Sequence, residues 1–385
     1  MRKLVIIYDT AIYGHHMEYL HHIYMATEGQ NACFVFVIPE DFMQLKGKLE
    51  WPERSNVTFD LIPNREIDKL EGGWFASRWK RAKLCASYIR KHKAQEAFFI
   101  ELIVQFPFLP LFVPKGVKLS GILYQLIPYE WNRLSIVSKI KCMIEVSSYA
   151  KCRCVKAPMT LNDSSCACYY NHRFHTEKFI PIVDPVMPLN YKPQNVRREL
   201  RLNDNDKMIL HFGGMTSRKG TLLILEAAKI MNEEQLKDKV FVFAGKVGND
   251  IRDIFYKLVE QLNGIVRIHV FDEFCTYERL ADLCHSCDCI IVPYKNYSYS
   301  SGVIGYSAQF QKTVIGPSQG ILGKLIRRNK LGMTISSLDA EALARILLRS
   351  ESYIVRKNNY AAKKTVNSFC KTIIETMLEG SKDYN

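Results

Sequence analysis

The feature that most constrains the fold is a regular alternation between short apolar segments and longer amphipathic ones. This alternation is typical of parallel strands joined by crossover helices. In the first half of the chain it predicts strands at 4–8, 33–38, 57–62, 97–102, 120–126 and 151–155. The predicted helices there are 16–26, 74–93 and 131–150.

The same cycle begins again near residue 208. It predicts strands at 208–212, 240–244, 266–271, 289–292 and 313–316, and helices at 221–231, 251–262, 276–284, 305–310 and 320–328. A proline-rich stretch without helical period, residues 179–196, separates the two cycles. We therefore predict an α/β protein with an N-terminal domain at 1–185, an interdomain connection at 186–206 and a C-terminal domain at 207–365. A C-terminal helix at 366–385 is expected to pack back on the N-terminal domain.

Composition narrows the class of protein. Hydrophobic residues make up 48% and charged residues 24% of the chain, the balance of a globular domain. The apolar run after Lys3 ends at Asp9, so a first buried strand fits it better than a signal peptide. A net charge of +14 favours polyanions, anionic membranes or phosphorylated small molecules, and does not choose among them.

The chain has twelve cysteines, several of them in close pairs. Cys152 and Cys154 would share one face of the predicted strand at 151–155, as small hydrophobic residues do. Their spacing differs from the C-x-x-C pattern of zinc sites, so reduced structural thiols are favoured and a metal site is the alternative. Reduced thiols predict a cytoplasmic protein.

The first candidate site is the turn between the strand at 208–212 and the next helix. Gly213 and Gly214 allow a sharp turn, and amides at a helix start suit an anion. Arg218 and Lys219 add positive charge at the same place. The pattern is neither the dinucleotide fingerprint nor a P-loop. The alternative is a plain tight turn with a solvated basic pair.

The second candidate site follows the strand at 289–292. Ser300, Ser301 and Gly302 precede a helix whose first amides, those of Val303 and Ile304, would point at an anion. Turns at the carboxyl ends of neighbouring parallel strands converge where α/β sheets bind ligands. The alternative is a Ser/Gly-rich loop with no ligand.

A third candidate lies near the N-terminus, where Gly14 permits close approach of a ligand. His15 and His16 begin the following helix and are candidates to bind a phosphate or hydroxyl, or to act as a base. The alternative is that they are polar helix-start residues. His21 and His22 lie further along and are expected to be packing or surface residues.

From residue 208 to about residue 338, the order of these motifs resembles the nucleotide-sugar-binding domain of GT-B glycosyltransferases, specifically glycosyltransferase family 4. The segment from Gly213 to Gly220 resembles that family's diphosphate-binding turn, and Ser301 to Gly316 resembles its donor loop and the following elements. The resemblance implies two Rossmann-like domains facing across a cleft. It also implies a UDP- or GDP-linked sugar as donor substrate, with no separate cofactor.

The resemblance assigns roles to single residues. Catalysis falls to His15, His16 and Lys219, diphosphate binding to the residues of the three turns named above, and nucleoside binding to Phe271, Glu273 and Tyr306. Two positions depart from the family pattern. Gly214 replaces a basic residue, and the acidic pair E-x7-E is absent, with Tyr306 near the place of its second glutamate. Recognition of the donor sugar is therefore open.

The resemblance further implies transfer with retention of anomeric configuration, without a metal. In this front-side mechanism the leaving diphosphate takes the acceptor proton. The acceptor would be a glycan, in particular a lipid-linked oligosaccharide of bacterial surface polysaccharide synthesis. The predicted helix at 74–93 carries Trp74, Phe75 and Trp79 among many basic residues. It is either a surface that contacts anionic lipid at the inner face of the plasma membrane or a crossover helix with a solvated basic face.

Two other functions stay open at this point. The absent acidic pair leaves room for a GT-B sugar-nucleotide epimerase, and for a non-catalytic scaffold built on a degenerate transferase. A nucleic-acid-binding function would rest on charge alone, because no helix-turn-helix, RRM or zinc-module signature is present. Nucleic acid is therefore not an expected partner.

Overall fold

A computed structural model describes residues 2–189, 191–192, 194–350 and 357–379, apart from the side chain of Lys48. The chain divides into two compact units, Met1–Val183 with Val366–Asn385, and Asp184–Thr365. Each unit is built on a parallel β-sheet with helices in the connections. The predicted α/β architecture with two sheets is confirmed.

The first unit contains a seven-stranded sheet in the order β3-β2-β1-β4-β5-β6-β7. Its strands are β1 Lys3–Tyr8, β2 Ala32–Pro39, β3 Val57–Ile62, β4 Glu96–Phe99, β5 Lys118–Leu123, β6 Val155–Leu161 and β7 Ile180–Ile182. Its first helices are α1 His15–Ala26, α2 Phe42–Leu45, α3 Asn64–Asp68, α4 Trp74–His92, α5 Ile136–Lys151 and α6 Ser164–Phe174. From Val5 to Tyr8, β1 is almost completely buried, because a parallel sheet is covered on both faces.

The second unit contains a six-stranded sheet in the order β10-β9-β8-β11-β12-β13. Its strands are β8 Lys207–Phe212, β9 Lys239–Ala244, β10 Arg267–Phe271, β11 Cys289–Ile291, β12 Thr313–Pro317 and β13 Gly332–Ile335. Its helices are α7 Val196–Glu199, α8 Thr221–Ile230, α9 Glu233–Leu236, α10 Arg252–Gln261, α11 Tyr277–Ser286, α12 Val303–Gln309, α13 Gly320–Arg328 and α14 Ala340–Ser350.

Both sheets reverse their strand order at one point, β1/β4 in the first unit and β8/β11 in the second. At such a switch point the connections leave in opposite directions, so the carboxyl ends of the two strands border an open crevice. The three candidate turns all follow strands at these points. The topology therefore places the candidate residues where parallel sheets bind ligands.

The last described helix, α15 Val366–Leu378, belongs to the first unit although it follows the second in sequence. Its Phe369 ring lies 4.7 Å from that of Tyr19 on α1. The Cys370 thiol donates to the His22 carbonyl over 3.2 Å. These apolar and polar contacts fix α15 along α1.

Three local predictions were wrong or incomplete. The strand predicted at 151–155 is the end of α5 followed by a turn, and β6 begins only at Val155. Cys152 and Cys154 therefore do not share a strand face. Tyr149 and Ala150 continue the helical burial pattern of α5, and this period of apolar residues, rather than the alternation of the two cysteines that follow, decides the local structure.

Helix α6 was not predicted, because its polar sequence shows no clear apolar period. The Asp163 side chain begins it by accepting a hydrogen bond from the Ser165 amide over 3.0 Å. Two short elements near the predicted connection were also missed, namely β7 before it and α7 within it. Proline at position 181 is tolerated in β7 because that strand lies at the sheet edge.

Candidate functional site

The turn between β8 and α8 is shaped by glycines that adopt positive φ angles. Gly213 has a φ of 91° and Gly220 a φ of 70°, a region that other residues rarely adopt. A Cβ atom on Gly220 would lie 2.1 Å from the carbonyl oxygen of Pro293, in the segment after β11. Glycine at position 220 therefore allows the two candidate loops of the second unit to touch.

Lys219 is held in this turn by its surroundings. The Thr216 hydroxyl accepts a hydrogen bond from the Lys219 amide over 3.4 Å. The Lys219 ammonium lies 5.5 Å from the centre of the Tyr294 ring and against the backbone of Gly213. Among the described residues, neither the Lys219 nor the Arg218 side chain has an ion pair or a hydrogen bond. The turn thus presents two cations that have no ion pair within the described residues, although the Asp250 carboxylate also lies at the turn and accepts a hydrogen bond from the Ser217 amide over 2.9 Å.

Tyr294 joins this turn to the loop before α12. Its hydroxyl accepts a hydrogen bond from the Ser301 hydroxyl over 3.2 Å, and its ring lies under Lys219. The neighbouring Ser300 hydroxyl donates instead to the carboxylate of Asp184 over 3.3 Å. The two predicted loops are therefore one continuous surface, with Lys219 on one side and Asp184 on the other.

The start of α12 offers backbone rather than side chains. Val303 and Ile304 point into the core. The Val303 amide donates to the Ser301 hydroxyl over 3.3 Å, and the Ile304 amide donates to the Ser301 carbonyl over 3.4 Å. Gly302 precedes them with no side chain in the way. An anion at this place would displace the bond between Ser301 and Val303.

His211, near the end of β8, connects elements that carry the site. Its Nδ1 lies 2.9 Å from the carbonyl of Ile291 and its Nε2 lies 3.0 Å from the Thr221 hydroxyl. Burial lowers its pKa to about 4, against a smaller opposing effect of the Ile291 carbonyl. Neutral His211 therefore links β8, β11 and α8 without adding charge.

The predicted nucleoside-binding residues lie in two places. Tyr306 on α12 is beside Phe212, with ring centres 6.3 Å apart, and so lies next to the candidate phosphate turn. Phe271 ends β10, and Glu273 is exposed in the loop after it. Because β9 lies between β10 and β8, these two residues are about 10 Å along the sheet from the turn. The Arg279 guanidinium lies 4.6 Å from the centre of the Phe271 ring.

In the first unit the site is built around a buried carboxylate at the end of β1. Asp9 bonds Nδ1 of His16 over 2.7 Å and accepts a hydrogen bond from the Ala11 amide over 3.0 Å. Burial lowers the pKa of His16, but the charges of Asp9 and Glu101 outweigh burial, and the pKa is raised. Gly14, with a φ of 61°, leads directly into α1.

Further charges surround this pair. Burial raises the pKa of Glu101, which follows β4 at the switch point, against the opposing effect of His16. Arg81 on α4 donates to the Thr10 hydroxyl over 2.6 Å, and burial lowers its pKa. Arg78 on the same helix pairs with Glu145 over 2.8 Å. These two of the basic residues in the helix predicted at 74–93 therefore do not belong to a solvated face, because Glu145 and Thr10 bond their guanidinium groups.

His15 differs from His16 in its surroundings. It is exposed, and its ring stacks on His16 at 4.6 Å and lies 4.8 Å from the ring of Tyr124. His22 is buried instead, further along α1. Of the two predicted catalytic histidines, His16 is thus oriented by a carboxylate and His15 by aromatic rings.

No group of three or more His, Cys, Asp or Glu side chains suited to a metal ion occurs in the described part of the chain. The twelve cysteines are free thiols. Burial raises the pKa of Cys287 to about 12, so this thiol is protonated.

Within the described ranges, no helix is both long enough and apolar enough to cross a bilayer.

A family model matches the part of the chain that holds the phosphate turn. Residues 193–359 match the family described as Glycosyl transferases group 1. The matched residues lie within the second unit. A curated relative, the uncharacterized glycosyltransferase MJ1607 of Methanocaldococcus jannaschii, is 25% identical over 211 residues, or 53% of this chain and 52% of the relative. The chain thus spans about half the length of the curated relative it matches.

Solved structures match nearly the whole chain. WaaG, a glycosyltransferase involved in lipopolysaccharide biosynthesis, has a TM-score of 0.70 at 13% identity, covering 98% of this chain and 100% of that one. Alr3699/HepE of Anabaena, in complex with UDP and glucose, has a TM-score of 0.67 at 15% identity, covering 98% and 99%. At these identities the likeness is one of fold. The fold is GT-B.

Within this GT-B fold, four site residues were missed by sequence reasoning. Asp9, His211 and Tyr294 each lie at or just after the end of a strand at a switch point, a position that could have drawn attention to them. Asp184 had no such signal, because the contact with Ser300 joins residues that are 116 positions apart.

Proposed function

We propose that the protein is a glycosyltransferase that moves a sugar from a nucleotide-sugar donor to a glycan acceptor. The observation that carries the proposal is Lys219, a lysine without an ion pair to any described residue, in a glycine turn at the switch point of the region that matches the group 1 family. Two of the matching solved structures are complexes of HepE with UDP or UDP-glucose, which supports the same class of ligand here.

The donor site is proposed to divide a UDP- or GDP-linked sugar between two parts of the sheet edge. Lys219, helped by Arg218, binds the diphosphate together with the backbone of Gly213, Gly214 and the loop around Ser301. Charge that grows on the leaving diphosphate is stabilised by Lys219, since a fixed cation needs no reorganisation during the reaction. The nucleoside extends toward Tyr306 or toward Phe271 and Glu273.

The acceptor is proposed to bind at the edge of the first unit. With its Nδ1 bonded to Asp9, His16 has Nε2 left to bind an acceptor hydroxyl. His15 adds an exposed imidazole beside it. In a retaining reaction the bond from the anomeric carbon to the phosphate oxygen breaks first. The acceptor oxygen then bonds to the same face, and its proton passes to the leaving diphosphate.

The finer parts of the proposal concern the acceptor and the place of action. We propose a lipid-linked oligosaccharide as acceptor, in bacterial surface polysaccharide synthesis, with catalysis independent of metal. The protein would work in the cytoplasm at the inner face of the plasma membrane. The net charge of +14 supports the location at an anionic membrane, and the likeness to WaaG, a glycosyltransferase involved in lipopolysaccharide biosynthesis, supports the role in surface polysaccharide synthesis.

Calorimetric titration with UDP, GDP and UDP-glucose tests the donor site. The Lys219→Ala variant should bind the preferred nucleotide roughly tenfold to a hundredfold more weakly, the value of a charge-assisted hydrogen bond. Lys229→Ala is the matched control. It removes the same charge from the far end of α8, where the ammonium bonds only Gln261. Failure of the wild-type protein to bind any of these ligands would overturn the transferase proposal.

A further inference from the structure

Helix α5 has an apolar face that is open to solvent. The exposed fractions are 77% for Ile136, 60% for Val137, 55% for Ile140 and 49% for Ile144. These positions repeat about every helical turn and so lie on one side of the helix. We call these four residues the α5 stripe. The opposite side of α5, with Glu145, Val146 and Tyr149, is buried in the first unit.

The α5 stripe lies outside the buried core of the first unit. Single exposed apolar residues are normal on protein surfaces, but a contiguous apolar patch marks an interaction site. Helix α5 already buries a complete face, and the stripe points away from it. Its four branched side chains therefore indicate a partner that is itself apolar.

A second apolar surface lies at the start of α4, which contacts α5. Phe75 is 59% exposed and its ring lies 4.7 Å from that of Phe108, while Leu111 nearby is 69% exposed. We call Trp74, Phe75, Trp79, Phe108 and Leu111 the aromatic patch. Trp74 joins it to α5, since its indole nitrogen donates to Glu145 over 3.2 Å and its ring lies 5.3 Å from the Lys141 ammonium.

Lysines border both apolar surfaces. Lys139 and Lys141 flank the α5 stripe, and Lys80 and Lys83 are exposed on α4 beside the aromatic patch. The acid between the helices, Glu145, is buried and forms its ion pair with Arg78, so none of the four lysines is its ion-pair partner. Branched aliphatic and aromatic side chains ringed by lysines are the composition of surfaces that lie in the headgroup region of anionic membranes.

We propose that the α5 stripe and the aromatic patch dock the protein on an anionic lipid bilayer. The apolar side chains enter the boundary of the acyl chains, and the lysines lie at the level of the phosphates. This deepens the proposed function, because a lipid-linked acceptor is presented at such a surface. A second copy of the chain fits less well, since a twofold contact of α5 with α5 would bring like-charged lysines together.

Flotation of the full-length protein with vesicles tests the proposal. Vesicles of equal parts phosphatidylglycerol and phosphatidylcholine should bind it, and vesicles of phosphatidylcholine alone should bind it weakly. The double variant Ile136→Ser/Ile140→Ser should bind at least about tenfold more weakly, because each position loses most of the apolar area that isoleucine would bury. Lys139→Glu/Lys141→Glu should lose about fivefold or more for each lysine.

Ile230→Ser/Ile254→Ser is the matched control. These isoleucines are 51% and 55% exposed in the second unit, outside the proposed surface, so the control should bind vesicles like the wild type. UDP binding by every variant reports that the protein is folded and keeps the two proposals apart. A protein that binds UDP but not anionic vesicles overturns the docking surface alone. So does an α5 stripe variant that floats like the wild type, or one whose only change is loss of a dimer.

Discussion

The two switch points of the molecule share a topology and differ in chemistry. In the first unit, β1 ends at a buried carboxylate, and Asp9 pairs with His16 next to Glu101 and Arg81. In the second unit, β8 ends in glycines, and Lys219 lies over an aromatic ring without an ion pair to any described residue. The first edge thus carries charges that are paired with one another, and the second carries an unpaired lysine, while the carboxylates of Asp250 and Asp184 there bond an amide and a hydroxyl.

This difference indicates how the two edges divide the work. A polyanion such as a diphosphate gains most where cations are uncompensated, which favours the second unit. A neutral hydroxyl gains most from an oriented donor or acceptor, which His16 offers in the first unit. One histidine at each edge shows the same difference. Acidic neighbours raise the pKa of His16 in the first unit, and burial lowers the pKa of His211 in the second.

The largest expected effect concerns the close approach of the two loops in the second unit. In Gly220→Ala the new Cβ would lie 2.1 Å from the Pro293 carbonyl oxygen, at a positive φ angle that alanine disfavours. We expect the free energy of unfolding to fall by about 3 kcal/mol or more. Urea denaturation followed by circular dichroism measures this loss.

Gly214→Ala is the control in the same turn. A Cβ there has no atom within 4 Å, and φ lies outside the strained region, so stability should stay close to the wild type. Equal stability of the two variants would contradict the tight contact between the loops.

The second effect is a pH dependence that belongs to the second unit. Burial holds the pKa of His211 at about 4, against 6.5 for an ordinary histidine. The pKa of His211 is lower in the folded state than in the unfolded state. The unfolded state therefore binds a proton first as the pH falls below 6.5, and the free energy of unfolding decreases until the pH reaches about 4. The loss amounts to about 3 kcal/mol over that interval.

Denaturation curves at a series of pH values measure this slope. His211→Gln should flatten it, because glutamine does not titrate and keeps hydrogen-bonding capacity toward Ile291 and Thr221. The same substitution at His285, which is exposed on α11, should leave the slope unchanged. A slope that survives in His211→Gln would assign the pH dependence to other groups.

The comparison also shows what the sequence could and could not predict. Both sheets, and both loops of the second unit, followed from apolar periodicity and from glycines and serines placed after strands. These signals are local. Tyr294 lies within one of the loops, yet its role depends on contacts with Lys219 and Ser301 that only the folded turn creates.

Burial and long-range pairing account for the remaining errors. The amphipathic pattern of α4 correctly predicted a helix, but composition alone could not show that Arg78 turns inward to Glu145, 67 positions along the chain. The exposed α5 stripe was missed for a similar reason, because an apolar helix face reads as a core face until the neighbouring elements are placed. Sequence therefore predicted the strands and the loops that follow them better than it predicted which charged side chains are paired.

The smallest effect sharpens the comparison from the side of the first unit. Asp9→Asn removes the carboxylate that bonds His16, while burial and the weaker influence of Glu101 remain. The pKa of His16 should therefore fall. A change that exposes His211 should instead raise the pKa of His211, because burial is what lowers it. A histidine whose pKa is raised in the folded state stabilises the fold at pH values below the ordinary histidine pKa, and this stabilisation is lost as the pH rises through the folded-state pKa.

Titration of the His16 imidazole protons by NMR measures the shift, and Glu101→Gln should lower the pKa less than Asp9→Asn. If Asp9→Asn left the pKa unchanged, the compensated pair would not be what distinguishes this edge from the other. A fall in acceptor affinity with unchanged UDP binding would instead show that the first edge orients the hydroxyl and the second holds the diphosphate.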